Sequence, residues 1–210
     1  IFNIFFALIL FFSSANLCAN DTLQIPSISR YVLWFSPSSA THTYGLNFRV
    51  FPNFDTLMFA QTPKIYGAEL NIDPLSMLVT VAVATYVFFP NSHQPIADSI
   101  TFNDYSKFKK IYGLQCGFLN IDPKQVLTYG LNINIGGSFG NVTKGIIISP
   151  LMNKSYLVDG ITIGLVANHD VECNGIQIGL INSCRNLTGL QIGIWNINQD
   201  RSSPIINWSF

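Results

Sequence analysis

An eight-residue segment led by glycine recurs along the second half of the chain, and this repeat constrains the fold more than any other feature. Its copies include GIQIGLIN and GLQIGIWN, and they begin at Gly113, Gly130, Gly145, Gly160, Gly175 and Gly189, with weaker copies at Gly45 and Gly67. Successive starts in the second half lie 14 to 17 residues apart. Helical repeats have much longer periods, so the spacing predicts one strand per unit.

Polar and apolar residues alternate within each copy. In the last one, Leu190, Ile192 and Ile194 alternate with Gln191 and Gly193. Alternate residues of a strand point to opposite faces, so one face is aliphatic and the other carries glycines and amides. Because glycine weakens a strand, its repetition indicates close backbone approach or a sharp bend. We predict that the aliphatic rows point toward hydrocarbon and that the glycine and amide rows line an enclosed interior.

The segments between the copies are rich in turn-forming residues. They read NIDPK (120–124), SFGN (138–141), MNKS (152–155), NHD (168–170) and NSCRN (182–186), which predicts hairpin turns. A parallel β-solenoid prefers a nearly constant coil length, so the variable spacing favours an antiparallel meander. We therefore predict an all-β fold, an antiparallel meander of about 10–12 strands closed as a transmembrane β-barrel.

The composition and one apolar segment agree with a barrel. Charged residues make up 10% of the chain and apolar residues 49%, which is a low charge content for a soluble protein. The net charge is zero, so nothing indicates a nucleic-acid partner. Residues 75–89, LSMLVTVAVATYVFF, fit a lipid-facing strand, although a central sandwich strand buried on both faces fits as well.

The N-terminal segment resembles an export signal. Residues 1–19 combine an apolar core with small residues, which is the layout of a signal peptide, and a truncated start explains the missing basic region. Residues 20–210 then form a single barrel domain, with the strand repeats running from 113 to 196.

The last strand resembles the C-terminal signature of outer-membrane β-barrel proteins. Ile206, Trp208 and Phe210 alternate with polar residues and end the chain on an aromatic. The resemblance implies recognition by the barrel assembly machinery and contact with outer-membrane lipid. The repeats from Gly113 to the C-terminus also resemble a family of bacterial surface proteins with GLQIGLIN-type repeats. That likeness implies an outer-membrane or surface location and supplies no catalytic residues.

The sequence predicts no catalytic, cofactor-binding or metal-binding residues. The histidines His42, His93 and His169 lie apart in turn-like segments. The enzymatic alternative is a lipid-modifying barrel enzyme that uses Asp170 and Glu172 beside His169.

Three cysteines follow the predicted signal peptide. Cys173 and Cys184 are a possible disulfide between neighbouring strands, with Cys116 left unpaired. Alternatively, all three are small buried hydrophobic residues.

These observations predict a non-enzymatic outer-membrane or surface β-barrel protein, exported through its signal peptide, with no cofactor and an unidentified ligand. One alternative is a soluble exported β-sandwich or β-solenoid that binds a partner along its sheet. Another is a small-solute channel, which requires an open polar lumen.

Overall fold

The computed structural model describes residues 27–36, 38–50, 62–72, 108–121, 126–140 and 142–210. The regular structure in these ranges is β-strand, which confirms the predicted all-β class. In chain order, the strands are β1 (Ser29–Ser36), β2 (His42–Arg49), β3 (Lys64–Asn71), β4 (Lys109–Ile121), β5 (Val126–Phe139), β6 (Val142–Ile148), β7 (Met152–Ile163), β8 (Ala167–Ile178), β9 (Ile181–Ile197) and β10 (Ser202–Ser209). The predicted signal peptide (1–19) and the predicted strand at 75–89 lie outside the described residues. Within the described ranges, no helix is long and apolar enough to span a membrane.

The strands form a parallel β-solenoid of about 7 turns. Each strand from β1 to β8 pairs in parallel with the strand that follows it, and β10 runs antiparallel to β9. β1 and β10 lie at opposite ends of the strand order, so the sheet does not close on itself. The predicted antiparallel meander of about 10–12 strands, closed as a transmembrane barrel, is therefore wrong, and the β-solenoid fold named in one alternative is confirmed. The extent of the domain, residues 20–210, stays a prediction.

The variable repeat spacing misled the prediction because parallel coils of different length still pair in register. Gly113 pairs with Gly130, 17 residues further on, and Gly175 pairs with Gly189, 14 residues further on. A β-bulge adds a further irregularity, since between Gly117 and Leu119 of β4 the paired residue on β5 moves from Asn134 to Gly137. Coil length therefore varies without any reversal of strand direction.

Several predicted hairpin turns are strand segments instead. Residues 168–170 lie inside β8 and residues 182–186 lie inside β9. Asn168 donates from Nδ2 to Oδ1 of Asn182 at 2.7 Å, so the asparagines pair with each other between coils in addition to their hydrogen bonds with backbone carbonyls. This pairing overrides the turn preference of asparagine.

A glycine ladder runs along the solenoid. The first glycine of each repeat is in register with the first glycine of the next, for example Gly160 with Gly175. Gly175 has φ of 146°, and an added Cβ would overlap the carbonyl oxygen of Gly160. The same relationship links Gly45, Gly67, Gly113, Gly130, Gly145, Gly160, Gly175 and Gly189. The expected close backbone approach is confirmed, and it occurs between stacked coils.

Buried amides line the solenoid interior beside smaller clusters of buried apolar side chains, and the aliphatic rows of the repeats point outward. Buried asparagines form a ladder in which Asn153 donates to Asn168 at 2.9 Å and Asn182 donates to Asn196 at 2.8 Å. Since these amides satisfy one another, burying them leaves few unpaired groups. The prediction of inward amides and outward aliphatic side chains is correct for the described coils, although the structure that encloses the amides is a solenoid.

Candidate functional site

Two continuous aliphatic rows run outward along the solenoid from β2 to β9. Together they form what we call the aliphatic strip. The first row follows the glycine ladder by one residue and contains Leu46, Ala68, Leu114, Leu131, Ile146, Ile161, Ile176 and Leu190. The second row lies two residues further on and contains Phe48, Leu70, Cys116, Ile133, Ile148, Ile163, Ile178 and Ile192. None of these side chains is buried, and none is charged.

A more exposed rim borders the second row. Ile135, Leu165, Leu180 and Ile194 are 64%, 65%, 49% and 67% exposed. The amide nitrogen of Leu180 donates to the carbonyl oxygen of Leu165 at 3.1 Å, so these two residues occupy adjacent coils. The strip and its rim are about 34 Å long and about 13 Å wide at ordinary strand spacings. An apolar patch of roughly 400 Å² is comparable to the largest patch on a typical soluble monomer, and such patches are often functional.

The side of the glycine ladder opposite the strip differs between the two halves of the solenoid. In the C-terminal coils, the residues that precede the glycines are polar: Lys144, Asp159, Asn174 and Thr188. Lys144 and Asp159 form an exposed ion pair at 3.6 Å, which contributes little to stability.

In the N-terminal coils, the same positions hold a tyrosine ladder. Tyr31, Tyr44, Tyr66, Tyr112 and Tyr129 stack with ring centroids 5.0 to 5.2 Å apart and interplanar angles of 4 to 11°. The sequence prediction missed this ladder. The sequence feature that could have predicted it is the Tyr-Gly pair at the start of four repeats, with the tyrosines at Tyr44, Tyr66, Tyr112 and Tyr129.

A buried ionic cluster lies inside the N-terminal coils. Glu69 contacts Lys109 Nζ at 2.7 Å through Oε2 and Arg49 Nε at 3.3 Å through Oε1. Arg49 also donates from Nη2 to Oδ1 of Asn120 at 2.9 Å. All three charged residues are at most 3% exposed, so the charges compensate one another inside the coils and present no surface to a ligand.

Asp170 is the interior acid of the C-terminal coils. Its carboxylate accepts a hydrogen bond from Gln177 Nε2 at 2.8 Å and another from the Ser155 amide at 3.2 Å. Burial raises its pKa to about 7 despite these hydrogen bonds. The neighbouring His169 has its pKa lowered by burial and by Lys154. Glu172 is exposed, so the three residues of the enzymatic alternative differ in environment and do not form one open site.

The two cysteines of the predicted disulfide lie in neighbouring coils. Cys173 in β8 and Cys184 in β9 are buried in one cluster with Leu187, and both are free thiols. The hydrogen bond between the Cys173 thiol and Cys184, together with burial, raises the pKa of the Cys173 thiol. Cys116 lies apart from them in the aliphatic strip. The disulfide between Cys173 and Cys184 stays a prediction.

Two residues of the C-terminal signature, Ile206 and Trp208, lie on the antiparallel strand β10, and Phe210 directly follows that strand. Ile206 and Trp208 point outward, and Phe210 is 95% exposed. Between them, the buried Asn207 donates from Nδ2 to Oε1 of Gln191 at 3.0 Å. Arg201 lies 4.2 Å above the Trp208 ring. Recognition of this strand by the barrel assembly machinery stays a prediction.

The described residues contain no group of three or more histidine, cysteine, aspartate or glutamate side chains arranged to hold a metal ion. His42 stacks beside Tyr44 and Tyr66, His169 lies in β8, and His93 lies outside the described ranges. No family model, curated protein or solved structure matches this chain.

Proposed function

We propose that this protein is a non-enzymatic, exported β-solenoid that binds a lipid surface through its aliphatic strip. The observation that carries the proposal is the continuity of two outward aliphatic rows over the eight strands β2 to β9 without a charged side chain. Under this proposal, the N-terminal segment 1–19 directs export, and outer-membrane lipid is the partner.

The chemistry of the strip fits hydrocarbon better than a specific protein partner. Its two rows carry no hydrogen-bonding side chain other than the thiol of Cys116, which is a weak donor. The backbone groups of each coil pair with the coils above and below. A face with its backbone already paired can enter a low-dielectric environment without leaving polar groups unsatisfied.

The area of the strip is sufficient for adsorption. Burying roughly 400 Å² of apolar surface corresponds to a gross transfer free energy of about 10 kcal/mol. Part of that is lost to the ordering of the bound protein, so we expect reversible surface binding. The interior amides are fully buried among the described coils, which argues against a small-solute channel through the solenoid.

The test is sedimentation of the purified chain with large unilamellar vesicles of phosphatidylcholine and phosphatidylglycerol. The triple variant Ile146→Thr/Ile161→Thr/Ile176→Thr keeps β-branched residues in the strand and should weaken vesicle binding at least about tenfold. The matched control, Asp159→Thr/Asn174→Thr, changes the other side of the glycine ladder in the same coils and should bind like the wild type.

Two results would contradict the proposal. One is a wild-type chain that stays in the supernatant at all vesicle concentrations. The other is a concentration-dependent dimer that the triple variant abolishes while vesicle binding is unchanged, because the strip would then be covered by a second copy. Sedimentation velocity without vesicles measures that dimer.

A further inference from the structure

We propose that the aliphatic strip selects membranes that contain anionic lipids, because a basic row beside the strip contacts their phosphate groups. The inference rests on the proposed function, since it names the lipid class that the same surface binds. The basic row consists of His42, Lys64 and Lys110, which are register partners on β2, β3 and β4.

Each of these coils presents its outward side chains in a fixed order of polarity. On β3, the outward residues in chain order are Lys64, Tyr66, Ala68 and Leu70. The paired residues on β4 are a lysine, a tyrosine, a leucine and a cysteine. The outward face therefore changes from cationic through aromatic to aliphatic along each strand, and the tyrosine ladder lies between the basic row and the aliphatic strip.

This order matches the layers of a membrane surface. Aliphatic side chains suit hydrocarbon, tyrosines concentrate at the boundary between hydrocarbon and water, and lysines extend toward the headgroups. Lys64 lies two residues from Tyr66 and four from Ala68, which is about 7 and about 13 Å along the strand. The headgroup layer on each side of the hydrocarbon is about 5–7 Å thick. A solenoid that inserts the strip and tilts about its long axis therefore places the tyrosines at the boundary and the ammonium groups beside the phosphates.

The basic row carries positive charge that no described acid offsets. Lys64 and Lys110 are direct partners in the pairing of β3 with β4, and like charges at such positions destabilise a sheet. Among the described residues, neither ammonium group forms an ion pair with a carboxylate. Within the described part of β1 to β5, the one acidic residue is Glu69, which is buried against Arg49 and Lys109. The phosphate groups of anionic lipids would relieve the repulsion between the two lysines.

The C-terminal coils do not continue the basic row. On β5 to β9, the positions in register with it hold apolar, acidic or amide side chains, which are Leu127, Val142, Leu157, Glu172 and Asn186. The cation nearest to the glycine ladder in these coils, Lys144, is paired with Asp159. The attraction to anionic lipid therefore lies at the N-terminal end of the strip.

The test is cosedimentation of the full chain with two kinds of vesicle, one of phosphatidylcholine alone and one of equal parts phosphatidylcholine and phosphatidylglycerol. A basic residue near an anionic membrane surface contributes about fivefold to affinity. We therefore expect the wild type to bind the mixed vesicles at least about tenfold more tightly at about 0.05 M salt. The preference should disappear at about 0.5 M salt, because surface charges are then screened over about 4 Å.

Lys64→Gln/Lys110→Gln should reduce this preference to less than about threefold and leave binding to phosphatidylcholine vesicles unchanged. The matched control Lys64→Arg/Lys110→Arg keeps both charges and should keep the preference. The position of the charge is separated from the net charge by two single variants. Lys154→Gln, seven residues from the strip on β7, should have less effect than Lys110→Gln, which is four residues from the strip on β4. Circular dichroism establishes that each variant is folded.

Two results would overturn the lipid selectivity and leave the proposed function standing. One is equal wild-type affinity for the two kinds of vesicle at low salt, and the other is a preference that the double glutamine variant retains in full. A wild-type chain that binds neither kind would overturn the proposed function as well. The strip variant Ile146→Thr/Ile161→Thr/Ile176→Thr should weaken binding to both kinds, because the strip supplies the apolar contact in each case.

Discussion

Gln191 donates a hydrogen bond of 2.6 Å from Nε2 to Oε1 of Gln177, the residue at the same position in the preceding coil. Asn207 extends this relationship because it donates in turn to Gln191. Gln177, Gln191 and Asn207 thus form a column of amides in the C-terminal interior, in which each later residue donates to the one before it. The antiparallel strand β10 supplies the last member and leaves no open amide at that end of the glutamine column.

Removing one amide from the asparagine ladder should be costly. Asn182 accepts from Asn168 at 2.7 Å and donates to Asn196 at 2.8 Å. Asn182→Ala leaves a buried donor and a buried acceptor without partners, so we expect the free energy of unfolding to fall by about 2–4 kcal/mol in urea titrations. Asn174→Ala, at an exposed position in β8, should change it by less than about 0.5 kcal/mol. Equal effects for the two variants would contradict the ladder.

A methyl group in the glycine ladder should disrupt the stacking of coils. Gly175 has a positive φ, and its Cβ would overlap the carbonyl oxygen of Gly160, which is backbone and has little room to move. Gly175→Ala should therefore destabilise the fold by at least about 4 kcal/mol, measured by thermal unfolding. Gly117→Ala, at a glycine without positive φ whose Cβ would mainly meet side chains, should cost less. The reverse order would show that the ladder glycines are not required.

Asp170 should make stability depend on pH near neutrality. Its pKa is raised from 3.8 to about 7 in the folded chain, so between these values the folded chain holds a proton that the unfolded chain has lost. The stabilising contribution is therefore complete below about pH 4 and is lost as the pH rises through about 7. The loss is on the order of 4 kcal/mol at most.

Urea unfolding of the wild type and of Asp170→Asn between pH 4 and 8 measures this dependence. The variant should show a smaller decrease in unfolding free energy with pH over that range. The lowered pKa of His169 acts in the opposite direction, but it is present in both chains and largely cancels in the comparison. Identical pH profiles would show that Asp170 does not hold the proton.

Pro204 should protect the exposed edge of β10 from pairing with another chain. Proline lacks a backbone N–H, and the pairing of β10 with β9 shifts between Pro204 and Ile205. Both features interrupt an edge that carries Ile206 and Trp208. Pro204→Val should increase self-association in sedimentation velocity, whereas Ser202→Val, which keeps the proline, should not. A Pro204→Val chain that remains monomeric would show that the edge is protected by other means.

The sequence predicts which face of each strand is buried and which is exposed, but it does not predict whether the neighbouring strand runs parallel or antiparallel. The alternation of Ile176 and Ile178 with Gln177 is the same in a parallel coil and an antiparallel hairpin, so the facing of the rows was predictable and the topology was not. Direction depends on the spacers, and residues such as Asn168 and Asn182 have a strong turn preference in isolation. Only the stacking of coils gives them amide partners and holds them in strands.

The candidate binding surfaces were predictable to different degrees. The aliphatic rows follow from the repeat itself. The tyrosine ladder requires Tyr66 and Tyr112 to be adjacent, although they lie 46 residues apart in the chain. Such a distant pair is brought together only by the exact register of parallel coils.

The glycine ladder also bears on how a chain like this one changes in evolution. Because each coil contacts the ones directly before and after it, duplication of a single 15-residue unit, such as the one from Gly160 to Asn174, would insert a complete coil and leave both of its neighbours correctly seated. Copy number can then vary by unequal recombination, and the length of the outward surfaces becomes a heritable trait that is adjusted in steps of one repeat.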